Sequence, residues 1–294
     1  MVYTAPRRVG SIAEGRVIGG RRMDWSRTKT IFILTFLVLN LFLGFQLYEK
    51  HKENQFEYLS ESTVKIEDQL KNMEITYPEL PEAPKRMVHI TGETHMFTEE
   101  ELSRWNEDEL SINVVEENTK ITAVLENDRK FSNNRSDRAA FLQTYPLFGD
   151  EYMFWEDGQE ENVMEWIFLQ THKERPIYQK AGHSNGQLLV QLNEEGRVVG
   201  FEQTYLDIKP QENEQEILTP LKAINQLLMN SKLNYRDEIT SIELGYYTLV
   251  EGEVQVLAPT WFVEVNDERQ YFVNAINGQI DDPNMEAPIE TGEG

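Results

Sequence analysis

The longest uncharged stretch of the chain contains Ile31 to Leu47, IFILTFLVLNLFLGFQL, seventeen residues without an Asp, Glu, Lys or Arg. At about 1.5 Å per residue it covers roughly 26 Å as a helix, slightly short of a hydrocarbon core of about 30 Å. Thr28, Thr30 and the stems of Arg27 and Lys29 make up the difference. Trp25 and Tyr48 flank the run, where interfacial aromatics belong. A buried core helix would show one polar face, but polar side chains here are confined to Thr35, Asn40 and Gln46. A cleaved signal would be followed by an A-x-A-like site, whereas this chain continues into QLYEKHKENQF. The pattern predicts an uncleaved transmembrane helix over 31–48.

Beyond it the pattern becomes helical and then β. Phe56, Leu59, Thr63, Ile66, Leu70 and Met73 recur at three- and four-residue steps, predicting a stalk helix within 49–76. Pro78, Pro81 and Pro84 end it in an extended connector. Arg86 to Thr91 reads as a short strand. Thr98 and Glu101 have the spacing of a capping box at a helix start. Ile112 to Val115 and Ile121 to Leu125 are strand candidates in an acidic stretch. Ser136 is placed to cap a helix through Arg138, Phe141 and Leu142, ending near Pro146 and Gly149.

From Glu151 onward, β-branched and aromatic residues predict strands at Tyr152 to Trp155, Val163 to Gln170, Gln187 to Leu192 and Val198 to Leu206. Asn193 to Gly196 is a hairpin loop between the last two. Thr219-Pro220 starts a helix with Leu221, Ile224, Leu227 and Leu228 on its apolar face. Ile239 to Val250 returns to strand. Trp261 to Val265 and Gln270 to Ala275 are expected to pair, with Pro259 at the start of the first. Trp261, Val263 and Val265 should share one face and Phe262 the other. Asn277-Gly278 makes the last turn. The hairpins VQLNEEGRVVGFEQ and VEVNDERQYFVNA look alike, but too weakly to define a repeat.

Charge then orients the chain. Residues 1–30 contain seven Arg and Lys against Glu14 and Asp24, a net of +5. The whole chain is −23, so 48–294 carry −28. The positive-inside rule places the N-terminus in the cytoplasm and the body outside. A charge of −28 excludes nucleic acid as a partner, because phosphate would repel it. There is no Cys, which removes disulfides, thiolate metal sites and a catalytic thiol. An exported domain without disulfides suits a Gram-positive cell surface. The aromatic content, twelve Tyr, fourteen Phe and five Trp, is that of a folded body.

Catalytic patterns are missing. His89 and His95 in HITGETH fit neither HExxH nor another zinc helix spacing, and read as surface or half-buried residues. Ser132 and Ser184 lie outside any G-x-S-x-G elbow. The clusters Glu99–Glu101, Glu107–Glu109 and Glu160–Glu161 lack the alternating ligands and Gly of an EF-hand loop. No catalytic residue, cofactor site or metal site is assigned.

MDWSRTKTIFILTFLVLNLFLGFQLYEK, from Met23, resembles the start of the YycI (WalI) family, single-pass regulators of the WalK/YycG sensor histidine kinase. Glu79 to Pro84, ELPEAP, is similar to the family's connector. LAPTWFVEVNDERQYFVNAINGQI, Leu257 to Ile280, is similar to its C-terminal end. Residues 1–22 depart from the family, which suggests Met23 as the start. The resemblance implies an α+β fold: one N-terminal transmembrane helix, then an extracytoplasmic ectodomain of antiparallel sheets with packed helices. It implies no enzymatic activity and a membrane complex with a YycH-like regulator and the kinase, controlling cell-wall metabolism.

The expected layout is 1–30 cytoplasmic, 31–48 transmembrane, 49–76 stalk, 77–174 and 175–282 two ectodomain parts, and 283–294 a tail. Partner contact in the bilayer is assigned to Thr35, Asn40 and Gly44, the few residues there that allow interhelical hydrogen bonds or close packing. Asn40 bonding back to its own helix is the competing reading. The alternative function is an extracytoplasmic PepSY-like ligand-binding or hydrolase-inhibitor module.

Overall fold

Thirteen strands form one long sheet, built as an antiparallel array and a mixed array joined by a hairpin. The computed structural model describes residues 29–43, 65–105, 110–129, 131, 134–160, 163–180, 183–250 and 252–283. Two units separate, 1–61 and 62–294. Within the first, residues 29–43 form a helix. Residues 44–48 of the expected transmembrane span, residues 49–64 of the stalk and all of 1–22 lie outside the described residues.

In the second unit, a helix over 65–72 inserts Ile66 and Leu70 into a core. The strands follow in chain order. They are β1 (Arg86–Met87), β2 (Ile90–Thr94), β3 (Leu110–Val115), β4 (Lys120–Arg129), β5 (Tyr152–Glu160), β6 (Val163–His172) and β7 (Arg175–Tyr178). Then come β8 (Gln187–Leu192), β9 (Val198–Thr204), β10 (Leu206–Pro210), β11 (Gln215–Glu216), β12 (Ile239–Val250), β13 (Val254–Val265), β14 (Arg269–Asn274) and β15 (Ile280–Asp281). Short helices occupy Glu99–Leu102, Arg135–Thr144 and Pro220–Met229. The fold is α+β with few helices.

The first array runs β3-β4-β9-β8-β6-β5, with every pair antiparallel. The helix Arg135–Thr144 covers it. Phe141 is fully buried, its ring 5.8 Å from Phe201 and 6.4 Å from Trp166. Asn134, not Ser136, caps this helix: its side chain accepts from Asp137 N–H at 3.0 Å. An Asn in extended conformation one residue before the first turn outcompetes a Ser already inside it.

The second array runs β10-β2-β13-β12-β7, with β14 and β15 continuing beyond β13. Helices 65–72 and Pro220–Met229 pack Leu70, Ile224 and Leu227 against Trp261, Val263 and Val265. Phe262 faces the opposite cluster, as the alternation predicts. The Trp261 indole donates to Leu218 O at 2.9 Å. Thr219 caps the second helix with Pro220 in its first turn.

Pro259 lies inside β13 rather than at its start. On one side β13 pairs with β2 over Val254–Leu257 and with β14 over Thr260–Val265. Pro259 falls between the two partners, so its missing N–H removes no ladder bond there. β6 and β7 join the arrays through His172↔Arg175. β7 then runs parallel to β12 at Ile177 and Tyr178. The two similar-looking hairpins, β8–β9 and β13–β14, hold different places: β8 and β9 neighbour β6 and β4, whereas β13 and β14 neighbour β12 and β15.

Candidate functional site

Two of the three residues assigned to partner contact, Thr35 and Asn40, fall on the helix over 29–43. Its side chains are exposed all round, from Leu39 and Leu43 at 50% to Phe32 at 72%. Thr35 Oγ1 donates to Ile31 O at 2.8 Å, so this hydroxyl is satisfied within its own helix. Asn40 is exposed on the same helix, and Gly44 lies outside the described residues. Thr35 and Asn40 are five positions apart, about 140° around the axis, and so do not share a face. Among the described residues no helix is long and apolar enough to cross a membrane.

Sequence reasoning missed a side-chain node at His95. Thr98 and Glu101 form the capping box that the sequence predicts. That box turns Glu101 back toward His95, whose Nε2 lies 3.2 Å from Glu101 Oε1. On the other side Nδ1 lies 3.0 Å from Asp207 Oδ2 of β10. Both contacts are hydrogen bonds only when both nitrogens carry protons. Phe97, Phe148 and Tyr205 meet the imidazole edge-on, with centroids 5.1 to 5.6 Å away. Burial works against the Glu101 carboxylate, but the Thr98 N–H and hydroxyl and His95 together hold it below the usual carboxylate range. Tyr205 donates to Glu151 Oε2 at 2.7 Å, and burial followed by that carboxylate pushes its phenol well up. His89 is elsewhere, partly buried, and desolvation lowers its pKa.

Two clefts flank the last turn and β15. One, of about 640 Å³, is lined by the amides of Gln226, Asn230, Asn277 and Gln279 together with Lys232. The other, of about 220 Å³, is lined by Lys180, Tyr247, Asn274 and Asp281 among others. Asn274 Oδ1 accepts from the N–H groups of Ile276 and Asn277, which fixes the turn between them. Gly278 has φ of 75°, and a Cβ there would sit 3.0 Å from Gln226 Cδ, so the turn needs glycine. Their amides, hydroxyl and charges suit polar ligands and offer no nucleophile–base pair. Among the described residues no group of His, Asp and Glu is arranged to hold a metal ion.

A family model, that of the YycI protein, matches residues 53–276, about three quarters of the chain. The chain belongs to the YycI family. This is a family of regulatory proteins. In this YycI-family chain the matched range takes in the His95 node, part of each cleft and much of Leu257 to Ile280. It begins after the apolar run, so the N-terminal resemblance lies outside it.

No curated protein is a significant match. Solved structures similar to this YycI-family chain include an uncharacterized protein from Eubacterium rectale, at 14% identity and a TM-score of 0.37, covering 70% of this chain and 84% of that one. YycH from Bacillus subtilis is similar at 11% and 0.35, covering 71% and 54%; the chain thus spans about half the length of that structure. The C-terminal domain of YpeB from Bacillus megaterium is similar at 15% and 0.31, covering 76% and 96%. At these identities and scores none of the three carries a functional argument.

Proposed function

We propose that this YycI-family chain is a non-enzymatic, single-pass membrane regulator of a two-component sensor histidine kinase of the WalK/YycG type. It acts in a complex with a YycH-like partner and controls cell-wall metabolism. The observation that carries the reading is the helix over 29–43, apolar and exposed around its whole circumference. Exposed apolar surface is unfavourable by roughly 25 cal/mol per Å², so an apolar environment has to cover it. The uncharged run continues to Leu47 in the sequence, close to the length a bilayer requires. The basic N-terminal segment supports a cytoplasmic N-terminus, with the unit from 62 onward outside the cell. Membership of a regulatory family supports the rest.

Side-chain hydrophobicity cannot select a helix partner in lipid. Thr35 is already satisfied by Ile31 O, so Asn40 and Gly44 are the stronger candidates for a packing face toward the kinase or the YycH-like partner. The two polar clefts beside β15 favour a second reading, an extracytoplasmic PepSY-like module that binds a ligand or restrains a wall hydrolase.

Deleting the body while keeping residues 23–60 separates the two. A regulator working through its anchor keeps part of its effect on kinase output. Complete loss, at unchanged membrane abundance, would favour the binding module.

A further inference from the structure

On the sheet face turned away from the helices 65–72 and Pro220–Met229, carboxylates gather beside an aromatic cluster. One cross-strand row reads Glu243–Phe262–Phe272 and the next Ser241–Glu264–Gln270. β5 brings in a third carboxylate. A register shift between Phe154 and Glu156 turns Trp155 into this cluster, 4.8 Å from Phe262 and 5.2 Å from Tyr178. Glu156, next to it, accepts a hydrogen bond from Trp155. Burial and then the charge of Glu264 raise the carboxyls of both Glu156 and Glu243. Glu264 accepts only long bonds, from Thr240 Oγ1 at 3.4 Å and Gln270 Nε2 at 3.3 Å. Among the described residues, no Lys or Arg pairs with any of the three, and half-buried Glu243 has no hydrogen-bond partner.

Tyr178 gives an independent observation. It is 2% exposed, yet its hydroxyl has no hydrogen-bond partner. Its backbone pairs with Tyr247, and its Cε2 lies 2.6 Å from where a Cβ on Gly245 would be. The ring therefore runs along β12 from the level of residue 247 past 245, and its hydroxyl points toward Glu243, the next residue on that face. A buried hydroxyl without a partner keeps its full desolvation cost, and a half-buried carboxylate without a donor has nothing to offset its own. The carboxylates are not grouped closely enough to hold a metal ion. A larger cation, whose N–H donors each reach about 3 Å, spans such spacing.

We propose that Glu156, Glu243, Glu264 and the Tyr178 hydroxyl form a receptor for a guanidinium or alkylammonium group, carried by a free amine or by a basic side chain of a partner. The cation's N–H groups donate to the carboxylates and to the Tyr178 oxygen, with the Trp155 ring at the rim. The site lies wholly in the unit 62–294 and does not rest on the membrane reading.

The test is calorimetric titration of the full chain in detergent with N-acetyl-arginine amide, the tripeptide acetyl-Ala-Arg-Ala-amide and, separately, calcium chloride. The arginine probes are expected to bind, Glu243→Gln to weaken them at least tenfold and Tyr178→Phe several-fold. Glu174→Gln, on the exposed β6–β7 turn, should change nothing. Equal affinity for the two arginine probes points to a small free cation, and a preference for the tripeptide to a partner's side chain. Absence of arginine binding by a wild-type chain with a normal melting transition overturns the proposal. So does binding by a folded Glu243→Gln variant as tight as wild type, or calcium binding at these carboxylates without arginine binding.

Discussion

The imidazole Nδ1 of His95 lies 3.0 Å from Oδ2 of Asp207, a residue 112 positions away in sequence. The contact fastens the chain just beyond β2 to β10, while Nε2 reaches Glu101 in the capped helix. His95→Ala removes both polar contacts and three aromatic edges. It is expected to destabilise the protein by about 1–3 kcal/mol in denaturant melts. Asp207 is half exposed, so Asp207→Asn should change stability by less than about 1 kcal/mol. Equal, negligible effects would make the ring a bystander.

Trp261 anchors the core of the second array. It is fully buried, with its indole N–H on Leu218 O. Trp261→Ala should lower stability by about 3–5 kcal/mol. Substituting Met229, 68% exposed, by Ala should be close to neutral in the same melts. A neutral Trp261→Ala would contradict the packing described.

The pH dependence has two opposed contributions. Burial raises the Asp237 carboxyl, but Arg269 at 2.7 Å, the Asn234 N–H and Asn266 Nδ2 outweigh it and hold its pKa below the ordinary value. Its stabilisation is therefore fully present above an unfolded pKa of about 3.9 and is lost as pH falls through the lower folded value. Asp237→Asn should flatten that acid limb. Glu243 has the opposite sign: burial and then Glu264 raise its pKa, so ionisation disfavours the fold at neutral pH. Glu243→Gln should stabilise the protein at pH 7 and not at pH 3. The reverse order in pH-dependent melting would contradict both assignments.

The chain has no cysteine, so single cysteines report topology cleanly. A membrane-impermeant maleimide on intact cells should label Glu174→Cys and leave Ser26→Cys unlabelled until the cells are broken. Labelling of Ser26→Cys alone would reverse the proposed orientation.

What the sequence revealed was local. The Thr98–Glu101 box, the Thr219-Pro220 start and the turns at Asn193–Gly196 and Asn277-Gly278 each depend on a few neighbouring residues, and each formed. The β-face alternation of Trp261, Phe262 and Val263 was equally readable. Pairing over long sequence distances was not. Nothing near Ile90 announces that β2 lies against β13, and that pairing, shared with β14, is what admits Pro259 in mid-strand. β7 went unseen because its four residues, Arg175–Tyr178, include a Pro and show no alternation. The His95 node draws Phe97, Glu101, Phe148, Tyr205 and Asp207 from separate segments, so no spacing rule could have found it. Met23 as the start and Gly44 as a contact fall outside the described residues.

The central claim is that this YycI-family chain is anchored in the membrane and engages a sensor kinase there. Crosslinking of the full chain in native membranes, followed by purification in detergent, tests it most directly. The account predicts that a WalK/YycG-type kinase and a YycH-like protein co-purify. Asn40→Leu should weaken the complex by about 0.6–2 kcal/mol, and Gly44→Leu should do more by blocking backbone approach. A chain recovered from the soluble fraction, or from membranes with neither partner crosslinked, would contradict it.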